Sequence, residues 1–274
     1  MKEASVECEI RDITFSYDDI GSGRPLLVLH GWPLDHRHVA ADMEPLFAER
    51  SGWRRIYPDL PGFGRTAARE WLASQDQMLD LVGEFLDAVA PGERFALAGT
   101  SWGGYLARGL VRKRAEDMDG LLLSVPHFAP SERQGVLPVH RVLREDADFL
   151  AALEPGEESV GEIAVIHSME VLEDQRRSIL PAIPLHDAIF GERMDEHFSF
   201  PLALPRPFPA PTLIVTGRFD HVCGYEDAYR ALDDFPRATF AVLDCAGHAL
   251  PMERKGPFRA LASDWLDRVE EYAL

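Results

Sequence analysis

Short, mostly apolar runs alternate with longer segments of helical period along most of the chain. Residues 25–30, 53–57, 95–100, 120–125, 212–216 and 239–243 form the runs. Runs this short and free of breakers read as strands, most of them buried on both faces. Between them, apolar residues recur at helical spacing. Met78, Leu81, Val82, Phe85, Leu86 and Val89 mark a helix over 75–90, and Tyr105, Leu106, Leu110 and Val111 one from 102 to about 118. Further helices are expected over 39–50, 225–235 and 257–272, and the alternation in 5–20 reads as a hairpin or two edge strands. The fold class is therefore α/β: a mostly parallel sheet with helices on both faces.

Residues 127–208 break the alternation. Helical stretches replace strands, with breaks at Pro155-Gly156, Pro181 and Pro184. The exit through Pro201, Pro205, Pro207, Pro209 and Pro211 is stiff. The division expected is a core of 1–126 and 209–274 and a helical cap of 127–208. Because the insertion follows a strand, it should lie over the carboxyl edge of the sheet, where such folds bind ligands.

Composition narrows the function. A net charge of −18 disfavours nucleic acid and anionic membranes as partners. Cys8, Cys223 and Cys245 are far apart in the sequence and suggest neither a disulfide framework nor a zinc site. The first residues lack the apolar core of a secretory signal, and no run approaches a membrane span, so a cytoplasmic location is expected.

Gly99-Thr100-Ser101-Trp102-Gly103 stands between an expected strand and helix. A serine in so sharp a turn is held in a strained backbone that lifts its Oγ off the sheet, at the positive end of the helix. A serine hydroxyl needs a base, usually histidine, and the histidine needs a carboxylate. Asp220 and His248 each stand just beyond a later strand. Loops after parallel strands converge, so Ser101, Asp220 and His248 can meet. A histidine in that role makes activity rise through a pKa near 6.5. His221 is the weaker candidate for the base, and Asp244 and Glu226 read as solvated or capping groups. His36 and His38 have no third ligand in a nearby motif, so no metal is expected. The glycines of 61–64 do not form a nucleotide cradle, and no cofactor is expected.

With these motifs in order, the chain resembles the α/β-hydrolases over nearly its whole length. The matching stretches are His30-Gly31, Asp59-Leu-Pro-Gly-Phe-Gly64, the serine turn, Gly217-Arg-Phe-Asp220 and Gly247-His248. The resemblance implies Ser101 as nucleophile, His248 as base and Asp220 as its orienting acid. It also implies an oxyanion hole from the backbone N–H groups of Trp32 and Trp102. His30-Gly-Trp-Pro33 resembles the loop of epoxide hydrolases, haloalkane dehalogenases and cofactor-free haloperoxidases. The first two attack an sp³ carbon with aspartate, whereas serine there would leave a stable ether. Serine implies acyl transfer. The expected reaction is hydrolysis of a small ester or related acyl substrate. The alternatives are a meta-cleavage carbon–carbon hydrolase, a haloperoxidase or perhydrolase, and a ligand receptor on this fold. Many meta-cleavage enzymes carry tryptophan after the histidine, where this chain has Ala249.

Phe63, Phe128 and Phe190 are the expected substrate-binding residues, with Phe149, Leu150 and Phe198 as further pocket candidates. The expected partner is a small acyl substrate, and a homodimer stays open. Residues 127–208 hold 15 Asp and Glu against 7 Arg. Such a rim disfavours anionic substrates unless Arg141, Arg144 or Arg176 reaches inward.

Overall fold

Each apolar run forms a strand, and each period-3.6 stretch a helix beside it. A computed structural model describes residues 5–128, 134–157, 159–195 and 203–273. The chain opens with β1 (Val6–Ile10), β2 (Ile13–Gly21), β3 (Arg24–Leu29), α1 (His36–Met43) and β4 (Trp53–Pro58). It continues with α2 (Gln75–Val89), β5 (Phe95–Thr100), α3 (Trp102–Arg114) and β6 (Met118–Ser124). Short pieces follow: β7 (Arg144–Glu145), α4 (Ala147–Ala152), α5 (Ser159–Ile163), β8 (Ile166–His167), α6 (Met169–Ser178) and α7 (Ala188–Asp195). The alternation resumes with β9 (Thr212–Gly217), α8 (Glu226–Arg230), β10 (Ala238–Leu243), α9 (Leu250–Glu253) and α10 (Lys255–Tyr272).

Eight strands make one sheet in the order β1-β2-β4-β3-β5-β6-β9-β10. The pairs β1/β2 and β2/β4 are antiparallel, and the remaining pairs run parallel. Side chains alternate across it, as strand geometry requires. Leu27, Leu29, Phe95, Leu97, Leu121 and Leu123 enter the cluster that holds α2 and α3. Leu26, Val28, Ala96, Ala98 and Leu122 enter the cluster that holds α1 and α10. Burial on both faces explains why these strands carry continuous apolar runs.

Helix boundaries shift where local chemistry intervenes. α1 starts at His36, three residues earlier than its apolar pattern suggests, because the Asp35 carboxylate accepts the Arg37 N–H. It gives way after Met43 to a 3₁₀ turn containing Pro45. α8 is likewise short and is continued by a 3₁₀ turn. Among the described residues no helix is long and apolar enough to cross a membrane.

Candidate active site

Ser101 is the single residue between β5 and α3, at φ 53° and ψ −117°. An L-residue rarely adopts this backbone. Neighbours hold it there: its N–H donates to Ser124 O, and its carbonyl accepts from His127, Gly104 and Tyr105. Glycine on either side is a steric necessity. A Cβ on Gly99 would run into the Gly103 carbonyl, and one on Gly103 into the Leu29 carbonyl.

The loops after β9 and β10 bring two more groups to this turn. His248 Nε2 lies 3.1 Å from Ser101 Oγ, and His248 Nδ1 lies 3.0 Å from Asp220 Oδ2. The other carboxylate oxygen of Asp220 accepts the N–H groups of Val222 and Cys223, both at 2.9 Å. Phe219 N donates to Ala246 O, which laces the two loops together. Burial disfavours charge on His248, but Asp220, with Cys223 beside it, outweighs that and holds the imidazole pKa well above 6.5. That is higher than an unperturbed histidine, the value expected from sequence. Burial pushes the Asp220 carboxyl up, yet His248 and the two N–H donors bring it below its ordinary value.

Trp32 and Trp102 flank Ser101. Neither backbone N–H donates a hydrogen bond among the described residues. The Gly31 backbone comes so close that a Cβ there would sit 3.3 Å from Ser101 Cβ. His30 anchors this loop: its Nε2 accepts the Leu60 N–H, and its Nδ1 donates to Gly31 O. Those two bonds fix a neutral tautomer, and burial lowers the pKa of His30. Asp59 takes the His36 backbone N–H, the His36 ring and Arg65, so the conspicuous 59–64 motif is spent on loop structure.

A cavity of about 440 Å³ opens over Ser101. Trp32, Trp102, His127 and His248 form its floor; Ile163, Gln175, Ile179 and Ile183 come from the segment between β6 and β9. Glu162 is the one carboxylate among its described lining residues, and no Lys or Arg is among them. Arg176 pairs with Glu157, Arg141 lies over the Phe219 ring, and Arg144 pairs with Asp146.

The expected substrate-binding phenylalanines are corrected by the structure. Phe63 stands one layer back, its ring 4.9 Å from Trp32 and 5.4 Å from Trp102. Phe190 packs behind Phe63, and Phe128 lies beneath the Arg108 guanidinium. All three are core residues outside the cavity lining. Phe149 is buried against Val160 and Leu172, and Leu150 faces solvent. Phe198 lies outside the described residues. His221 packs on His140, 4.6 Å between ring centres. Asp244 is exposed.

Sequence reasoning missed Gln75, whose Oε1 accepts the Trp102 indole N–H while its amide donates to Met194 O. It also missed Cys223, whose Sγ lies 4.0 Å from Ser101 Oγ and 3.9 Å from His127 Nδ1. Gln75 stands among the polar residues Ser74, Asp76 and Gln77, and Cys223 in a mixed loop, so neither carries a sequence signal of such a role.

A model described as "Alpha/beta hydrolase family" matches residues 26–262. The AB hydrolase superfamily protein YisY of Bacillus subtilis strain 168 is 27% identical over 264 residues, covering 92% of this chain and 95% of that one. An alpha/beta superfamily hydrolase from Oenococcus oeni aligns with a TM-score of 0.85 at 25% identity, over 93% of this chain and 96% of that one. A thermophilic esterase from Thermogutta terrifontis aligns with a TM-score of 0.69 at 27% identity, over 97% and 99%.

Proposed function

The chain belongs to the alpha/beta hydrolase family, and on that premise we propose that it is a serine hydrolase of small, uncharged esters. The observation that carries the reading is the line Asp220–His248–Ser101, with contacts of 3.0 and 3.1 Å, at the floor of a largely apolar cavity. Neutral His248 takes the Ser101 proton on Nε2 as Oγ attacks the ester carbonyl carbon. The negative charge forms on the carbonyl oxygen, where the Trp32 and Trp102 N–H groups stabilise it by about 3 kcal/mol each. Ionised Asp220 accepts a hydrogen bond from Nδ1–H and stabilises the imidazolium without taking its proton. His248 then protonates the leaving alkoxide, and an acyl-Ser101 remains. Water, deprotonated by His248, attacks that acyl group; collapse releases the acid and restores Ser101.

Residues 127–208 act in this reading as a cap that sets substrate size through Ile163, Ile179 and Ile183. The absence of Lys and Arg among the described lining residues favours a neutral ester over a dianionic dienone acid, whose carboxylates would find no cation. Two measurements test the proposal: a fluorophosphonate label mapped by peptide mass, and turnover of p-nitrophenyl esters of graded chain length. Label on Ser101 with turnover of short esters is expected. Thermal stabilisation by esters without turnover would instead favour a ligand-binding role.

A further inference from the structure

The loop carrying His248 has a second anchor. Glu253 closes α9, and its carboxylate takes three backbone N–H groups. Oε1 accepts from Val165 at 2.5 Å and Ile166 at 3.0 Å; Oε2 accepts from Gly247, the residue before His248, at 2.6 Å. No Lys, Arg or His pairs with it among the described residues. Burial raises its pKa, and the three donors oppose that shift.

The surroundings support the same link. A Cβ on Gly247 would come within 2.9 Å of Val165 Cγ1 and 3.1 Å of Ile163 O. Ala249, on the other side of His248, packs with Val165, Ile166 and Val171. Both chain neighbours of His248 therefore lean on the segment between β6 and β9. These stretches also wall the cavity, with Ile163 on one side and Ala249, Pro251 and Met252 on the other.

We propose that Glu253 is a positioning residue that couples the seated segment at Val165 and Ile166 to the backbone of His248. It touches no reacting atom. By joining two separately folded stretches through one rigid carboxylate, it fixes where the imidazole stands relative to Ser101. The inference rests on Ser101 and His248 acting as nucleophile and base. A displacement of the base by about 1 Å suffices for a loss near 10²-fold.

The test compares Glu253→Gln, Glu253→Asp and Glu44→Gln with the wild type. Glutamine keeps the shape but turns an N–H toward one of the three donors, so one arm of the link must fail. Aspartate keeps two acceptor oxygens on a shorter stem. Glu44, which accepts the Tyr57 hydroxyl and pairs with Arg55 away from the cavity, serves as a half-buried carboxylate of stability only. In Glu253→Gln, kcat and the rate of fluorophosphonate labelling should fall by about 10²-fold with KM nearly unchanged. Glu253→Asp should recover part of that loss, and Glu44→Gln should lower Tm without changing kcat. Wild-type labelling and kcat in folded Glu253→Gln would overturn this inference alone, as would a loss of kcat that merely tracks Tm across all three variants. A wild-type chain that takes no label would overturn the serine reading and this inference with it.

Discussion

His248 Nδ1 and Asp220 Oδ2 stand 3.0 Å apart, with the carboxylate sealed from solvent. Burial opposes charge on the imidazole, and the carboxylate, aided by Cys223, reverses that preference, so His248 holds its proton to higher pH than a free histidine. The base acts only when neutral. Consequently kcat/KM should rise with pH through an apparent pKa above 6.5. Asp220→Asn should lower kcat by on the order of 10⁴. Its residual activity should inflect at lower pH, because only Cys223 then opposes burial. Identical inflections in the two pH–rate profiles would mean that Asp220 does not set the basicity of His248.

The Ser101 backbone allows a test of strain separate from chemistry. Ser101→Ala and Ser101→Gly should both be inactive and take no phosphonate label. Only glycine relieves φ 53°, ψ −117°, a conformation that disfavours an L-residue by about 1–3 kcal/mol. Glycine forfeits about 0.5–1 kcal/mol through its freer unfolded chain. Chemical denaturation should therefore find Ser101→Gly the more stable of the two by about 1 kcal/mol.

Ile183 and Phe190 belong to the same segment but should respond oppositely to truncation. Ile183 borders the cavity, so Ile183→Ala enlarges existing space and should move the preferred acyl chain to greater length. Phe190 is sealed against Phe63, and Phe190→Ala should cost about 3–5 kcal/mol of stability. Ester panels and melting curves on both variants check the contrast. A shifted chain-length optimum in Phe190→Ala at unchanged stability would restore that ring to the pocket.

Asp42, near the end of α1, has its carboxyl pushed up to about 8, first by burial and then by Asp174; Arg259 and Lys255 act in the opposite sense. His38 stands 3.7 Å from it on the same helix and stays uncharged, since burial lowers its pKa to about 3. A carboxyl that titrates at 3.8 when unfolded and near 8 when folded binds its proton more tightly in the fold. The contribution of Asp42 to stability is then most favourable below about pH 4, declines up to about pH 8 and levels off above. Asp42→Asn is neutral throughout, so it should leave Tm nearly unchanged at pH 4 and raise it at pH 8–9. For a chain of this size each kcal/mol moves Tm by about 2–4 °C. A melting series across that range that shows no growing gain would refute the assignment.

Much of the architecture is legible because its rules are local. Two-sided burial writes continuous apolar strands, and a close strand–helix crossing writes Gly99 and Gly103. The convergence of loops after parallel strands makes Ser101, Asp220 and His248 neighbours despite their separation in sequence. The cavity is less legible for an equally physical reason. Apolarity at Phe63, Phe128 and Phe190 reports burial, which core and pocket share, and it does not say which side of a ring faces space. The residues that do line the cavity come from elements as short as α5, too brief to show a period. Glu253 reads in sequence like any solvated acid at a helix end, since its partners are backbone groups that no side-chain pattern announces.

The chain leaves the sheet after β6 and rejoins it at β9, strands that pair side by side with Leu121 opposite Thr212. Sheet closure requires only that the connection span one parallel crossover, so it dictates almost nothing about what fills the interval. An exchange of that interval between relatives would leave the strand register untouched but would have to replace the core contacts of Phe190 and Met194. Glu253 adds one compatibility rule for such chimeras. A transplanted segment must present two backbone N–H groups where Val165 and Ile166 now stand; otherwise the graft folds over the cavity and leaves the histidine loop untethered.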